Sequence, residues 1–213
     1  MASYGARNLI LATSSVAKAS QSGDLLQQLS SYGCNARVEV CDVGNYSAVE
    51  RLIASANTPV GGVIHSALRL SVSTCPWPHG FLFIDLTISQ DRFFEDITLN
   101  DFNAVFGPKV NGALNLHNCL QGQHLDFFVM LSSGCGVLGN EGQSNYSASS
   151  TFLDTFARYR QSLGLPASSV DLGFVEDVGN ISERPEIQAS LLSRGLRPIT
   201  VRDVLRVVEG ASF

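Results

Sequence analysis

Short apolar runs alternate along the chain with longer stretches in which apolar residues recur every three or four positions. The short runs are typical of strands buried on both faces of a sheet, and the longer stretches are typical of helices packed on one face. Strands are predicted at residues 8–12, 37–43, 59–67 and 126–131. Helices are predicted at residues 16–32, 46–56, 101–120 and 145–163. Strands and helices therefore alternate throughout these segments.

This alternation predicts an α/β fold with a doubly wound parallel sheet, because each right-handed crossover places a helix on a face of the sheet. Ligands of such sheets bind beyond the carboxyl ends of the strands. We therefore expect functional residues in four places that follow strand ends: residues 13–15, Asp42, residues 65–67 and residues 132–136. Neither an internal repeat nor a Pro/Gly-rich linker divides the sequence, so we expect a single domain over residues 1–213.

The composition is that of a globular domain, with 45% of the 213 residues hydrophobic and 15% charged. The formal net charge is -5 and the sequence contains no run of Lys or Arg, so neither nucleic acid nor an anionic membrane surface is an expected partner. No apolar run approaches the roughly 20 residues needed to span a bilayer, and the first residues lack the pattern of a secretory signal. We expect a cytoplasmic protein.

The cysteines and histidines are too scattered for a metal site. The five cysteines form no Cys-x-x-Cys pair, and none has a histidine at ligand spacing. We therefore expect no bound metal, and we expect the cysteines to be free thiols in a reducing compartment.

A glycine pattern after the last predicted strand resembles a phosphate-binding loop, but its context argues against that function. Residues 134–139 fit Gly-x-Gly-x-x-Gly, the fingerprint in which the N-terminus of a helix faces a pyrophosphate. Here residues 140–144 are expected to separate the glycines from the next helix. The pattern also follows several strand–helix units, whereas the fingerprint normally belongs to the first one. We therefore do not expect this loop to bind phosphate.

A serine and a tyrosine near this loop have the most informative spacing in the chain. Ser133 follows the strand predicted at 126–131, and Tyr146, thirteen residues later, opens the next helix. This spacing resembles that of the short-chain dehydrogenase/reductase superfamily, whose ordinary members carry a lysine four residues after the tyrosine. Ser150 holds that position here. Lys109, on the preceding predicted helix, occupies the place from which ketoreductase domains of modular synthases supply the lysine.

Other segments extend the resemblance along nearly the whole chain. Six of them resemble ketoreductase domains of fungal highly reducing polyketide synthases: residues 5–11, 41–43, 61–65, 125–133, 151–160 and 170–173. The resemblance implies a Rossmann-like doubly wound sheet of the short-chain dehydrogenase/reductase type. It also implies that the chain lacks the first strand of that sheet and the Gly-rich loop after it, because Met1 corresponds to the end of the first helix.

The resemblance implies a catalytic set made of Lys109, Ser133, Tyr146 and Ser150. Hydride delivered to a ketone leaves charge on the oxygen, which needs a proton donor and a second hydrogen bond. Tyr146 is the implied donor and Ser133 the second hydrogen-bonding group. Lys109 is implied to make the phenol a stronger acid and to hold the cofactor ribose. Ser150 stands where these ketoreductases have asparagine, and its hydroxyl cannot supply both functions of a carboxamide.

The resemblance also implies a site for NADPH. The implied cofactor-binding residues are Ser14, Asp42, Val43, His65, Ala67, Lys109 and Tyr146. Ser14 occupies the place of a basic residue that usually binds the 2′-phosphate. Asp42 is expected either to bind the adenine amine or to form a turn. His65 is expected either to border the cofactor or to lie in the core as a hydrogen-bonded histidine.

Residues 72–90 interrupt both the alternation and the resemblance. They contain two prolines and the single tryptophan, and omitting them joins Ser71 to Asp91 in a sequence that resembles the family closely. An acquired active-site loop is one hypothesis for this segment. A retained intron that was translated is the other, because codons that resemble a splice donor, a branch site and a splice acceptor can encode its beginning, its later part and its end.

Two functions of different classes follow from these expectations. The first is NAD(P)H-dependent reduction of a β-ketoacyl thioester to a β-hydroxyacyl thioester, with the substrate held on an acyl carrier domain and with other polyketide synthase domains as partners. The second is a catalytically impaired remnant or fragment of such a synthase. The second function rests on the expected absence of the loop that anchors the cofactor phosphates.

Overall fold

The computed structural model describes residues 2, 6–20, 22–66, 94–140, 142–177, 185–193 and 195–211. Ala67 and the whole of the segment 72–90 lie outside the described residues, so the predictions made for them are not addressed by the structure.

Five strands and nine α-helices make up the described part of the chain. The strands are β1 (Asn8–Thr13), β2 (Asn35–Val40), β3 (Gly62–His65), β4 (Phe127–Ser133) and β5 (Ser168–Leu172). The first five helices are α1 (Val16–Ser20), α2 (Gly23–Ser31), α3 (Tyr46–Ala54), α4 (Leu99–Phe106) and α5 (Gly112–Cys119). The others are α6 (Cys135–Leu138), α7 (Ser144–Ser162), α8 (Pro185–Ser193) and α9 (Val201–Ala211). A 3-10 turn at Phe94–Asp96 precedes α4, and a π-helical turn at Gly107–Asn111 joins α4 to α5.

The strands form two parallel sheets with helical connections, which confirms the predicted α/β class. One sheet pairs β1 with β2, and the other has the order β3-β4-β5. β4 is the central strand of the larger sheet, and its register sets Val129 beside Ser168 and Ser133 beside Leu172. Alternate side chains of β4 enter cores on opposite faces, so the strand is buried on both sides.

The core lies mainly around β4. On one face, Phe128 and Met130 pack with Leu153 and Phe156 of α7 and with Val49 of α3. On the other face, the core is formed by residues of β4, β5 and α9: Val129, Leu131, Val170, Leu172 and Val204. The carboxyl end of β4, where Ser132 and Ser133 lie, is therefore held by packing on both faces.

The two sheets share no strand pair within the described ranges. The carbonyls of Arg7 and Thr13 accept hydrogen bonds from the amides of Asn35 and Cys41, at the two ends of β2. Because the backbone N–H and C=O groups of successive residues point to opposite sides of a strand, those of the even-numbered residues of β1 point away from β2. β1 nevertheless carries apolar residues on both faces, a composition typical of an interior strand. Among the described strands, the sheet order thus has a break between β1 and β3.

The helix predicted over 101–120 is interrupted in the structure. Pro108 has no N–H and cannot complete the α-helical bond to the carbonyl four residues before it, so the helix is disturbed at this point. The amide of Gly112 instead donates to the carbonyl of Gly107, five residues back, which is the π-helical bond. The predicted helix 16–32 is likewise divided into α1 and α2, and β4 continues two residues beyond its predicted end.

The unpaired edge of β1 leads to a prediction for amide exchange. We expect the even-numbered amides of β1 to exchange with solvent at least about tenfold faster than the odd-numbered ones, because only the latter donate within the sheet. Hydrogen–deuterium exchange of the 213-residue chain, read by NMR, measures both sets in the same strand. Equal protection of the two sets would mean that the outer edge of β1 is covered.

Candidate active site

Two serines at the carboxyl end of β4 begin the site. Because successive side chains of a strand point to opposite faces, Ser132 and Ser133 have different partners. The Ser132 hydroxyl donates to the carbonyl oxygen of Ser150 at 3.1 Å. The Ser133 hydroxyl accepts from the amide of Cys135 at 3.3 Å and is hydrogen-bonded to the phenol of Tyr146. Ser132 thus fixes α7 against the strand, while Ser133 faces the tyrosine.

Lys109 approaches the same place from the π-helical turn. Its Nζ donates to the Ser150 hydroxyl at 2.7 Å and lies 4.2 Å from the centroid of the Tyr146 ring. The Ser150 hydroxyl in turn donates to the carbonyl oxygen of Tyr146 at 2.9 Å. Lys109 is only 3% exposed and Ser150 is fully buried. The structure thus brings together the four residues expected to be catalytic, although they lie on three different elements.

Burial sets the proton affinities of the lysine and the tyrosine. Desolvation lowers the pKa of Lys109 from 10.5 to about 8, although the charges of Cys135, Asp154 and Asp171 act in the opposite direction. Desolvation raises the pKa of Tyr146 to about 12, with the hydrogen bond to Ser133 opposing that rise. The stronger acidity expected for the phenol is therefore not found. The direct contacts of the Lys109 ammonium are with Ser150 and the face of the ring.

The residues expected to bind the cofactor have other partners. Nε2 of His65 lies 2.9 Å from the Lys109 carbonyl oxygen, and burial lowers the pKa of His65 to about 4. The Asp42 carboxylate accepts from the amide of Gly44 at 3.0 Å, the contact of the turn-forming alternative.

The two other described positions lie at the ends of the smaller sheet. The Val43 carbonyl accepts from Nδ2 of Asn115 at 2.9 Å, which ties this loop to α5. Ser14 is exposed at the carboxyl end of β1. Ser14, Asp42 and Val43 all lie beyond the carboxyl ends of strands, where ligands of doubly wound sheets bind. Their roles in cofactor binding stay predictions.

The glycine pattern at 134–139 has a different structure from the one its context predicted. A one-turn helix, α6, begins inside the pattern, so the expectation of a helix-free connection was wrong. The second glycine nevertheless serves packing: a Cβ on Gly136 would lie 2.9 Å from the amide nitrogen of Thr151 and 3.0 Å from Cβ of Ser150. Gly136 thus allows α6 to approach α7 closely.

Sequence reasoning assigned no role to several polar residues near Tyr146 and Lys109. Ser132 and the carboxylates of Asp154 and Asp171 are among them, with Asp171 hydrogen-bonded to both Ser132 and Asp154. Ser132 and Asp171 are neighbours in the β4–β5 register. No spacing rule predicts that register, but the alternation along β4 could have indicated that Ser132 faces α7.

The described part of the chain contains no group of three or more His, Cys, Asp or Glu side chains that could hold a metal ion. None of its helices combines the length and the apolar character needed to cross a membrane.

The chain matches a known protein family over most of its length. The model of the KR domain family matches residues 1–75 and 86–177. The chain belongs to the KR domain family. Residues 76–85, which the match passes over, lie within the segment 72–90, and the origin of that segment stays a prediction.

Relatives of this KR domain occur in large fungal synthases. The chain is 81% identical over 211 residues to the highly reducing polyketide synthase GPY1 of Gibberella fujikuroi, covering 99% of this chain and 8% of that protein. It is 37% identical over 209 residues to the highly reducing polyketide synthase ntnH of a Nectria species, covering 98% of this chain and 8% of that protein. The chain thus spans about a twelfth of the length of these relatives.

Solved ketoreductases have the same fold as this KR domain. An A-type ketoreductase from a modular polyketide synthase superposes with a TM-score of 0.83 at 29% identity, over 99% of this chain and 41% of that chain. The first ketoreductase of the tylosin synthase superposes with a TM-score of 0.79 at 30% identity, over 99% of this chain and 42% of that chain. The chain is therefore a polyketide synthase ketoreductase domain of Rossmann-like fold.

The packing role of Gly136 predicts the effect of adding one methyl group. We expect Gly136→Ala to lower the free energy of unfolding by about 1–3 kcal/mol, because the new Cβ meets backbone rather than a flexible side chain. Gly134→Ala is the matched control, since the nearest atom to its Cβ, the Leu172 carbonyl oxygen, is 3.8 Å away. Urea denaturation of both variants measures the difference, and equal stabilities would contradict the packing role.

The buried neutral ring of His65 predicts a loss of stability in acid. Its pKa is about 4 in the folded chain against an ordinary 6.5, so the unfolded chain binds more protons between these values. The free energy of unfolding should therefore fall by up to about 3 kcal/mol as the pH is lowered from 6.5 to 4. Denaturation at several pH values measures this loss, which should be reduced in His65→Gln and retained when the exposed His124 is replaced by Gln. A loss of the same size in His65→Gln would contradict the assignment.

Proposed function

We propose that the chain carries out NADPH-dependent reduction of a β-ketoacyl thioester, held on an acyl carrier domain, to the β-hydroxyacyl thioester. The observation that carries the proposal is the convergence of Tyr146, Ser133 and Lys109 at the carboxyl end of the central strand. Ligands of doubly wound sheets bind at that edge. Membership of the KR domain family supports the same reaction class.

Tyr146 is the proton donor of the proposed reaction. When a nicotinamide cofactor is bound, it supplies the hydride that reaches the carbonyl carbon. The carbonyl oxygen gains charge at that moment and takes a proton from the Tyr146 phenol, while the Ser133 hydroxyl donates a second hydrogen bond to it. With a pKa near 12, the phenol carries its proton throughout the neutral range.

Lys109 stabilises the tyrosinate that remains after this transfer. With a pKa near 8, most of the lysine is charged at neutral pH. An ammonium 4.2 Å from the ring centroid attracts the ring more strongly once the phenol has become an anion. Ser150 holds the ammonium in this place through its hydroxyl. The residue that replaces the family's asparagine therefore has a positioning part in the proposed reaction.

The described residues fit the nicotinamide end of the cofactor better than its phosphates. Lys109 and Tyr146 offer an ammonium and a phenol that can hold the nicotinamide ribose, and Ser14 offers a hydroxyl beyond β1 for the adenosine end. The glycine loop at 134–139 offers no comparable cradle for a pyrophosphate, because Gly136 is packed against α7.

The second candidate function is that of a catalytically impaired remnant or fragment of a polyketide synthase. The observation that favours it is the break between β1 and β3, at the place where the resemblance puts the strand that leads to the phosphate-binding loop. The two candidates differ in cofactor affinity, because phosphate anchoring is a main part of dinucleotide binding.

Cofactor binding and ketone reduction test the two candidates together. For a working reductase, we expect the 213-residue chain to bind NADPH in the micromolar range by fluorescence titration and to oxidise it in the presence of a β-ketoacyl thioester. Tyr146→Phe should lower the rate about 10²- to 10⁴-fold even at saturating NADPH, because the proton donor is removed. Tyr159→Phe, an exposed position on the same helix, is the control. Failure of the unmodified chain to bind NADPH would favour the remnant.

A further inference from the structure

The π-helical turn that carries Lys109 is a rare backbone conformation held by specific contacts. The amide of Gly112 donates to the carbonyls of Gly107 and Lys109 at once. A π turn contains one residue more than an α turn, which rotates the residues on its two sides by about 100° relative to a continuous α-helix. The direction in which Lys109 points therefore depends on whether this turn persists.

His65 holds the turn from the neighbouring strand. Its Nε2 lies 2.9 Å from the Lys109 carbonyl oxygen, and since a carbonyl can only accept, Nε2 carries the proton. The ring is 3% exposed and also packs against Gly112, where a Cβ would come within 2.8 Å of its Cε1. The ring is thus in contact with both the carbonyl of Lys109 and the residue that closes the turn.

We propose that His65 is a positioning residue that locks the π-helical turn and thereby directs the Lys109 ammonium towards Ser150 and Tyr146. The inference rests on the proposed role of Lys109 and deepens it. The His65 N–H gives the Lys109 carbonyl a second hydrogen bond beside the one from the Gly112 amide, and it ties the turn to β3. Without that bond, the turn is free to relax towards regular α-helix, which moves Lys109 away from its two partners.

The charge state of His65 suits this task. Burial and the nearby Lys109 charge both favour the neutral ring, so the histidine supplies an N–H donor without placing a second positive charge beside the lysine. A positive charge there would lower the proton affinity of Lys109 further. The charges that act on Lys109 from the other elements are those of Cys135, Asp154 and Asp171.

The lysine content of the chain makes a direct test possible. Lys18 and Lys109 are its two lysines, so Lys18→Arg leaves Lys109 as the single signal in a chain labelled with ¹³C at lysine Cε. The NMR pH titration of that signal reports the surroundings of Nζ, and cross-peaks to the Tyr146 ring report its direction. In this background we expect a Lys109 pKa near 8 and cross-peaks to the ring.

The substitutions at His65 separate the hydrogen bond from the bulk of the ring. In His65→Leu, which has no donor, we expect the Lys109 pKa to rise from about 8 towards the ordinary 10.5 and the cross-peaks to disappear. His65→Gln retains an N–H donor at similar reach and should preserve both. His117→Leu is the matched control, because His117 is a second buried histidine, on α5, whose Nδ1 pairs with Arg160 at 2.6 Å.

Each outcome decides for or against the proposal. An unchanged Lys109 pKa with retained cross-peaks in folded His65→Leu would overturn it, and so would an equal change in His117→Leu. If His65→Leu does not fold, Gly112→Ala takes its place, because the added methyl displaces the ring; the pKa must then rise in Gly112→Ala while His65→Gln keeps it near 8. The titration needs neither cofactor nor substrate, so a chain without reductase activity leaves its result intact.

Discussion

The buried ammonium of Lys109 is the constraint on which the architecture of the site depends. Moving a charge out of water is unfavourable, and the depression of the Lys109 pKa from 10.5 to about 8 corresponds to about 3 kcal/mol. The fold offsets this with a hydroxyl at 2.7 Å and an aromatic face at 4.2 Å. Both partners lie on α7, which is fixed against β4 by the Ser132 bond and by the apolar core. The buried charge therefore depends on the correct placement of the π turn and α7 relative to each other and to β4.

Sequence periodicity predicted the strands and the longer helices up to residue 163, but it missed β5, α8 and α9 and the local irregularities. Periodicity located the strands and helices because burial of apolar side chains follows the strand and helix repeats directly. The spacing of Ser133 and Tyr146 predicted that they would meet, since one ends a strand and the other begins the helix after it. The π turn was out of reach, because Pro108 signals a disturbed helix without saying how the freed carbonyls will be satisfied. The turn is also tied to His65, forty-four residues before Lys109, through the Lys109 carbonyl.

The glycines of residues 134–139 illustrate the limit of a sequence pattern. A phosphate loop and a close helix crossing both require a residue without Cβ, so the same letters serve either purpose. The argument from context against phosphate stays a prediction, and one of its premises was wrong, because a short helix does begin inside the loop. What decides the matter is the approach of Gly136 to the backbone of α7, a tertiary contact that no local pattern contains.

The proposed catalytic residues and the residues proposed for the adenosine end of the cofactor lie at the ends of strands in different sheets. Lys109, Ser133 and Tyr146 depend on the π turn, β4 and α7, and β4 and α7 share one core. Ser14 and Asp42 follow β1 and β2, whose sheet is not hydrogen-bonded to the other within the described ranges. Contacts such as Asn115 with the Val43 carbonyl still link the two sides. The convergence of Lys109, Ser133 and Tyr146 therefore requires no strand pair between the two sheets among the described residues.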